Sequence, residues 1–72
     1  MQRYRNLSGN SGVYAFEIGA DYILVKFSGT DRIYRYSYLK AGVSHVEQMK
    51  RLAVAGHGLN SYIDRNVKLL YD

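Results

Sequence analysis

Seventy-two residues carry ten Lys/Arg against six Asp/Glu, a formal charge of +4, with eight tyrosines, two phenylalanines and no cysteine, proline or tryptophan. This length holds one domain, the lack of cysteine excludes disulfides and thiolate metal sites, and the basic balance favours anionic partners without naming one. No apolar run is long enough for a transmembrane helix, and Met1 to Asn10 lacks the apolar stretch of a secretory signal, so the expected setting is the cytoplasm, away from membranes.

Residues 1–12 read as a polar lead-in, with Arg3 and Arg5 flanking Tyr4 and turn composition from Ser8 to Gly12. The plain reading is a frayed, flexible terminus, and the functional one is a short basic arm bearing one stacking ring. The first strand spans Val13 to Ile18. Alternation places Tyr14, Phe16 and Ile18 on one face and Val13, Ala15 and Glu17 on the other. After a turn at Gly19-Ala20-Asp21, a second strand from Tyr22 to Ser28 has Ile23, Val25 and Phe27 on its apolar face and Lys26 on its wet side. Ser28-Gly29-Thr30-Asp31 turns the chain into Arg32-Ile33-Tyr34-Arg35-Tyr36-Ser37-Tyr38, where three tyrosines fall at every second position. Such short links predict an antiparallel meander.

Tyrosines on one strand face are either core residues or an open platform for stacking bases. Charge placement decides between these. Glu17, Lys26 and Arg35 each stand out of phase with a row of large apolar or aromatic residues. Burying Ile33 would bury Arg35 beside it, and an unpaired buried charge costs several kcal/mol. Tyr34 and Tyr36 are therefore assigned to the core, under a helix and facing Phe16 and Phe27, while Tyr38 at the strand's end is the most exposed of the three.

Ser44-His45-Val46-Glu47 has the form of a capping box, and the helix it opens runs to about Ala55. Val46, Met49, Leu52, Ala53 and Gly56 make its apolar stripe. Gly56-His57-Gly58 closes it through a left-handed cap. Asn60 is placed to cap a second short helix, Ser61 to about Val67, presenting Tyr62, Ile63 and Val67. The expected fold is α+β: a three-stranded antiparallel β-meander covered by one amphipathic helix, followed by a second short helix.

In this order of features the chain resembles the KTSC domain family, a short bacterial module found at the C-terminus of some lysyl-tRNA synthetases and as a free-standing protein. The residues that carry the resemblance are Tyr34-Arg35-Tyr36, the Val- and Phe-containing strand before them, Gly58-Leu59-Asn60, Ile63 and the late Tyr71. It spans roughly residues 11–71, so 13–72 reads as a single KTSC-like domain. Family members often carry proline just before the helix, where this chain has Gly42-Val43, which leaves that corner less rigid. The resemblance implies no established activity and suggests a role in RNA binding, with Tyr34, Tyr36, Gly58, Asn60 and Ile63 mainly structural.

No nucleophile elbow, paired carboxylates or phosphate loop joins His45, His57, Asp64 and the serines, so no catalytic residue, metal site or cofactor is expected. A helix-turn-helix from Lys50 to Arg65 would want glycine where His57 stands. The candidate RNA-contacting set is Lys26 and Arg35 on the outer sheet face and Lys50 and Arg51 on the helix, joined by Arg3, Tyr4 and Arg5 of the arm. The competing view of those charges is a solvated scatter, diluted by Glu17. The rival function is a protein–protein module, including a homodimer, that uses sheet edges or Tyr38 and Tyr62. A domain this small buries a limited share of its surface and gains from a second copy.

Overall fold

The computed structural model describes residues 1–72. Four strands, β1 (Gln2–Arg3), β2 (Val13–Ile18), β3 (Tyr22–Phe27) and β4 (Ile33–Ser37), form one antiparallel sheet in the order β1-β2-β3-β4. Helix α1 (Val43–Ala55) and the short helix α2 (Leu59–Tyr62) cover one face of it, and α2 runs into a π-helical turn, Ile63–Val67. The α+β meander anticipated from the alternation is present, with one more strand than expected. No helix is long and apolar enough to cross a membrane.

The β3–β4 pairing is regular. Ile23 stands opposite Tyr36 and Val25 opposite Tyr34, so the inner rows match, while Leu24 and Arg35 face each other on the outside. Ile23, Val25 and Tyr36 are fully buried, and Ile33 is 50% exposed. The inner and outer faces of this hairpin are thus those expected from the placement of its charges. The roof over it is divided, however. Tyr36 joins the cluster that includes Val46, Met49 and Ala53 of α1, whereas the ring neighbours of Tyr34 are Phe27 and Tyr71. Tyr34 lies beneath the C-terminal residues instead of the Val46–Ala53 helix.

The first long strand departs from strict alternation. Val13 pairs with Phe27 and Ala15 with Lys26, so Tyr14 is the extra residue of a β-bulge. The bulge keeps both Val13 and Phe16 in the core and throws Tyr14 outward, 38% exposed; Ile18, at the strand's end, is exposed as well. The inner row expected as Tyr14, Phe16 and Ile18 is Val13 and Phe16. Period-two alternation breaks here because one inserted residue inverts the phase of everything before it.

The N-terminal residues are docked, not frayed. Gln2 and Arg3 pair with Phe16 and Ala15, the Tyr4 N–H donates to the Tyr14 carbonyl at 2.9 Å, and the Leu7 N–H donates to the Gly56 carbonyl at 2.8 Å. Tyr4 is only 3% exposed and belongs to the core cluster. Its hydroxyl accepts from the buried Leu59 N–H at 3.3 Å. Tyr4 is therefore a core residue and not the stacking ring of a free arm.

The apolar stripe of α1 is as read, with Val46, Met49 and Ala53 buried and Leu52 packed against them. Its start differs. The N-cap is Gly42, at φ 100°, and no side chain caps the helix, so Ser44 lies inside it. Glu47 does not reach back to the N-terminus because Tyr38 and Lys50 hold its carboxylate. Proline cannot adopt φ 100°, so this corner is built around glycine. At the far end Gly56, at φ 80°, is the left-handed C-cap and donates to the Leu52 carbonyl. Gly58, at φ 87°, takes the N-cap place assigned to Asn60, and α2 begins at Leu59. Leu59, Ile63 and Val67 are buried, while Tyr62 is half-buried with its hydroxyl 2.7 Å from His45 Nδ1. This segment consists of four α-helical residues and a π turn, and it packs its apolar side, Leu59, Ile63 and Val67, on the core.

Candidate nucleic-acid interface

The face of the sheet away from the helices is where cations and aromatic rings meet. In register across four strands, Arg3, Ala15, Lys26 and Ile33 form one row, and Glu17, Leu24 and Arg35 form the next. The bulge places Tyr14 between the first two cations. The Arg3 guanidinium lies 4.1 Å from the Tyr14 ring centroid and the Lys26 ammonium 4.8 Å from it. Both are within reach of the ring's negative quadrupole, worth about 0.5–1 kcal/mol each at an exposed site. A second pair stands further along, where the Arg35 guanidinium lies 4.5 Å from the Tyr22 ring centroid. Ala15 is buried although it is on this face and outside the core cluster, being too small to rise above its neighbours.

These cations differ in how much of their charge is free. Arg35 Nε donates to the Asp72 carboxylate at 3.0 Å, and Ser37 Oγ donates to its other oxygen at 2.7 Å. Arg3 and Lys26 enter no ion pair, the two in the molecule being Arg35–Asp72 and Lys50–Glu47. Glu17 is exposed on the same face and unpaired, so it weakens the local positive potential at one side of the patch.

The seven residues singled out as RNA-contacting candidates do not make one surface. Arg3, Lys26 and Arg35 come together on the outer sheet face. Tyr4 is in the core. The Arg5 side chain donates to the Val54 carbonyl at the end of α1. Lys50 and Arg51 lie on the helix that covers the opposite face. Arg51 is held by Gln48 within that helix, at 2.6 and 2.9 Å. Lys50 is a brace: its ammonium donates to the carbonyls of Gly19 at 2.9 Å and Ala20 at 3.3 Å and pairs with Glu47 at 2.9 Å.

The Tyr38 hydroxyl completes that brace by donating to Glu47. The bond to Glu47 raises the Tyr38 hydroxyl above its ordinary value. The same bond, then that from Lys50, holds the Glu47 carboxyl below the usual range. Partial burial works against the Lys50 charge, but Glu47 more than offsets it and leaves the ammonium raised. Charges engaged this closely fix α1 to the β2–β3 turn and are poorly placed to neutralise a phosphate.

The remaining motif residues have structural places. Tyr36 is core, Tyr34 packs on Phe27 and Tyr71, and Ile63 is buried. Gly58 and Asn60, with Ser8, Asn10, Ser11 and Ser61, line a shallow polar cavity of about 220 Å³. The residues missed by sequence reasoning are Tyr14 and Tyr22. Tyr22 is in phase with Lys26, so alternation already sets it on the outer face, whereas the bulge that exposes Tyr14 leaves no mark in composition. Protein-family models, curated proteins and solved structures were each compared with the chain, and none matches it.

Proposed function

We propose that this chain is a small KTSC-like, non-enzymatic binding module that contacts RNA through the outer face of its sheet. The observation that carries this reading is the exposed Tyr14 ring flanked by two cations, Arg3 and Lys26, neither of which is neutralised by a carboxylate. A ring between free cations suits a single strand, whose phosphates attract the charges and whose bases stack on aromatic or guanidinium planes. Arg35 and Tyr22 extend the track along the same face. The rival protein–protein module draws less support. The Tyr38 and Tyr62 hydroxyls are engaged with Glu47 and His45, and the outer edge of β4 is partly occupied, because the Asp72 N–H donates to the Arg35 carbonyl at 2.8 Å.

Titrating the protein with a mixed pool of short single-stranded RNAs at increasing salt tests the proposal. Binding at low ionic strength that weakens steeply with salt is the expected outcome. No salt-dependent binding at low ionic strength would remove the RNA reading. Sizing chromatography across a concentration range tests the dimer separately.

A further inference from the structure

On the other side of the sheet, the half-buried Phe27, Tyr34 and Tyr71 wall a cavity of about 250 Å³, with the buried Tyr36 at its floor and Asp64 and Lys68 at its border. Neighbouring rings meet near right angles. Phe27 and Tyr34 stand at 79° with centroids 5.6 Å apart, Tyr34 and Tyr71 at 81° and 4.9 Å, and Tyr36 and Tyr71 at 83° and 6.4 Å. A slot for a flat base needs parallel rings, and none of these pairs is parallel. Rings at right angles form the walls of a box, and their negative faces attract cations.

The chain itself already answers that attraction. The Arg32 guanidinium lies 4.7 Å from the Tyr34 centroid and 5.4 Å from that of Tyr71, with no carboxylate paired to it. Asp64 enters neither an ion pair nor a side-chain hydrogen bond, although it faces this aromatic cavity from the π-helical turn, a rare element that recurs at functional sites. Apart from Asp64 and Lys68, the lining residues are apolar or aromatic. A primary ammonium entering it would give up hydrogen bonds to water that a trimethylated one, which has no N–H, does not make.

We propose that this cavity is an aromatic cage for a trimethylated ammonium group, with Asp64 supplying the counter-charge and Arg32, which lies on the Tyr34 and Tyr71 rings without lining the cavity, opposing an incoming cation by its charge. Lys68 also opposes an incoming cation. Removing either of the chain's own cations therefore strengthens binding, the reverse of what an anion site would show.

Ligand-observed proton NMR with choline, a trimethyllysine peptide and the neutral isostere 3,3-dimethylbutanol provides the test. The N-methyl resonances of the cations are expected to move upfield with wild-type protein. Binding should tighten about three- to fivefold in Arg32→Ala and weaken by a similar factor in Asp64→Asn. All three of Arg32, Asp64 and Lys68 are exposed, so these variants, and Lys68→Gln, are expected to fold. Tighter binding of the peptide than of choline identifies a protein side chain as the source, and equal binding identifies a free small molecule. The proposal is overturned if Arg32→Ala shows no N-methyl shift at millimolar ligand. It is equally overturned if the neutral isostere binds as well as choline.

Discussion

The two halves of the sheet fill the core by different means. In the β3–β4 half, alternation is unbroken, and each strand delivers its aromatic and β-branched residues inward in matched rows. In the β1–β2 half, the bulge turns Tyr14 to the outside, and Tyr4, from the end of a two-residue strand, supplies an inner aromatic ring. The two tyrosines are hydrogen-bonded neighbours through their backbones yet lie on opposite faces. One is packed among apolar side chains and the other is held by two cations. An aromatic residue's role is thus set by local register more than by its place in an apolar pattern.

The largest expected effect lies in the regular half. Tyr36→Ala should cost about 3–5 kcal/mol in urea unfolding, enough to remove most of the stability of so small a domain. In the irregular half, Tyr4→Ala should cost a comparable amount, about 3 kcal/mol. Tyr4→Phe should cost only about 1 kcal/mol, the value of the hydrogen bond from Leu59. Tyr14→Ala should cost about 1 kcal/mol, the lower end for its two exposed cation contacts. If Tyr4→Ala and Tyr14→Ala had equal effects, the contrast between the halves would fail.

An effect smaller than that of Tyr4→Ala tests how the N-terminal residues are held. Gly56 is at φ 80°, and a Cβ there would come within 2.8 Å of Arg5 Cβ. Gly56→Ala should therefore cost about 1–2 kcal/mol, and faster exchange of the Leu7 and Tyr4 amides would show that the N-terminal strand loosens with it.

The smallest effects are in pH. The Glu47 carboxyl is lowered in the folded state, so its contribution is present above the ordinary carboxylate value and is lost as pH falls through the lowered one. Glu47→Gln should flatten the acid limb of a plot of Tm against pH. At the alkaline end, burial first, then Tyr34, Tyr71 and Asp64, push the Tyr36 hydroxyl up to about 12 from 10.0. The unfolded chain ionises first, so stability should fall between those two values, and Tyr36→Phe should lessen that fall.

What could be read from the sequence follows the same division. The β3–β4 hairpin, the stripe of α1 and the glycine at its C-cap were legible because each rests on a periodicity or a single conformational need. Charge out of phase with apolar rows was enough to place Tyr34, Tyr36 and Arg35. The docking of residues 1–12 was not legible, since it depends on partners more than ten positions away, such as Phe16 and Gly56. The capping box failed because Glu47 had a stronger use with Tyr38 and Lys50. Of the RNA-contacting set, Lys26 and Arg35 were placed on the outer face from alternation alone. Arg3 joins them only through the extra strand, and the central ring, Tyr14, was hidden by the bulge.

The most direct measurement of the proposed interface is the slope of log K against log salt for RNA binding, compared between the two sides of the sheet. Arg3→Gln and Lys26→Gln should each reduce the slope by about 1, the share of one lost phosphate contact, while Arg51→Gln on α1 should leave it unchanged. A slope indifferent to both outer-face variants, or lowered by the helix variant instead, would contradict an RNA interface built around Tyr14.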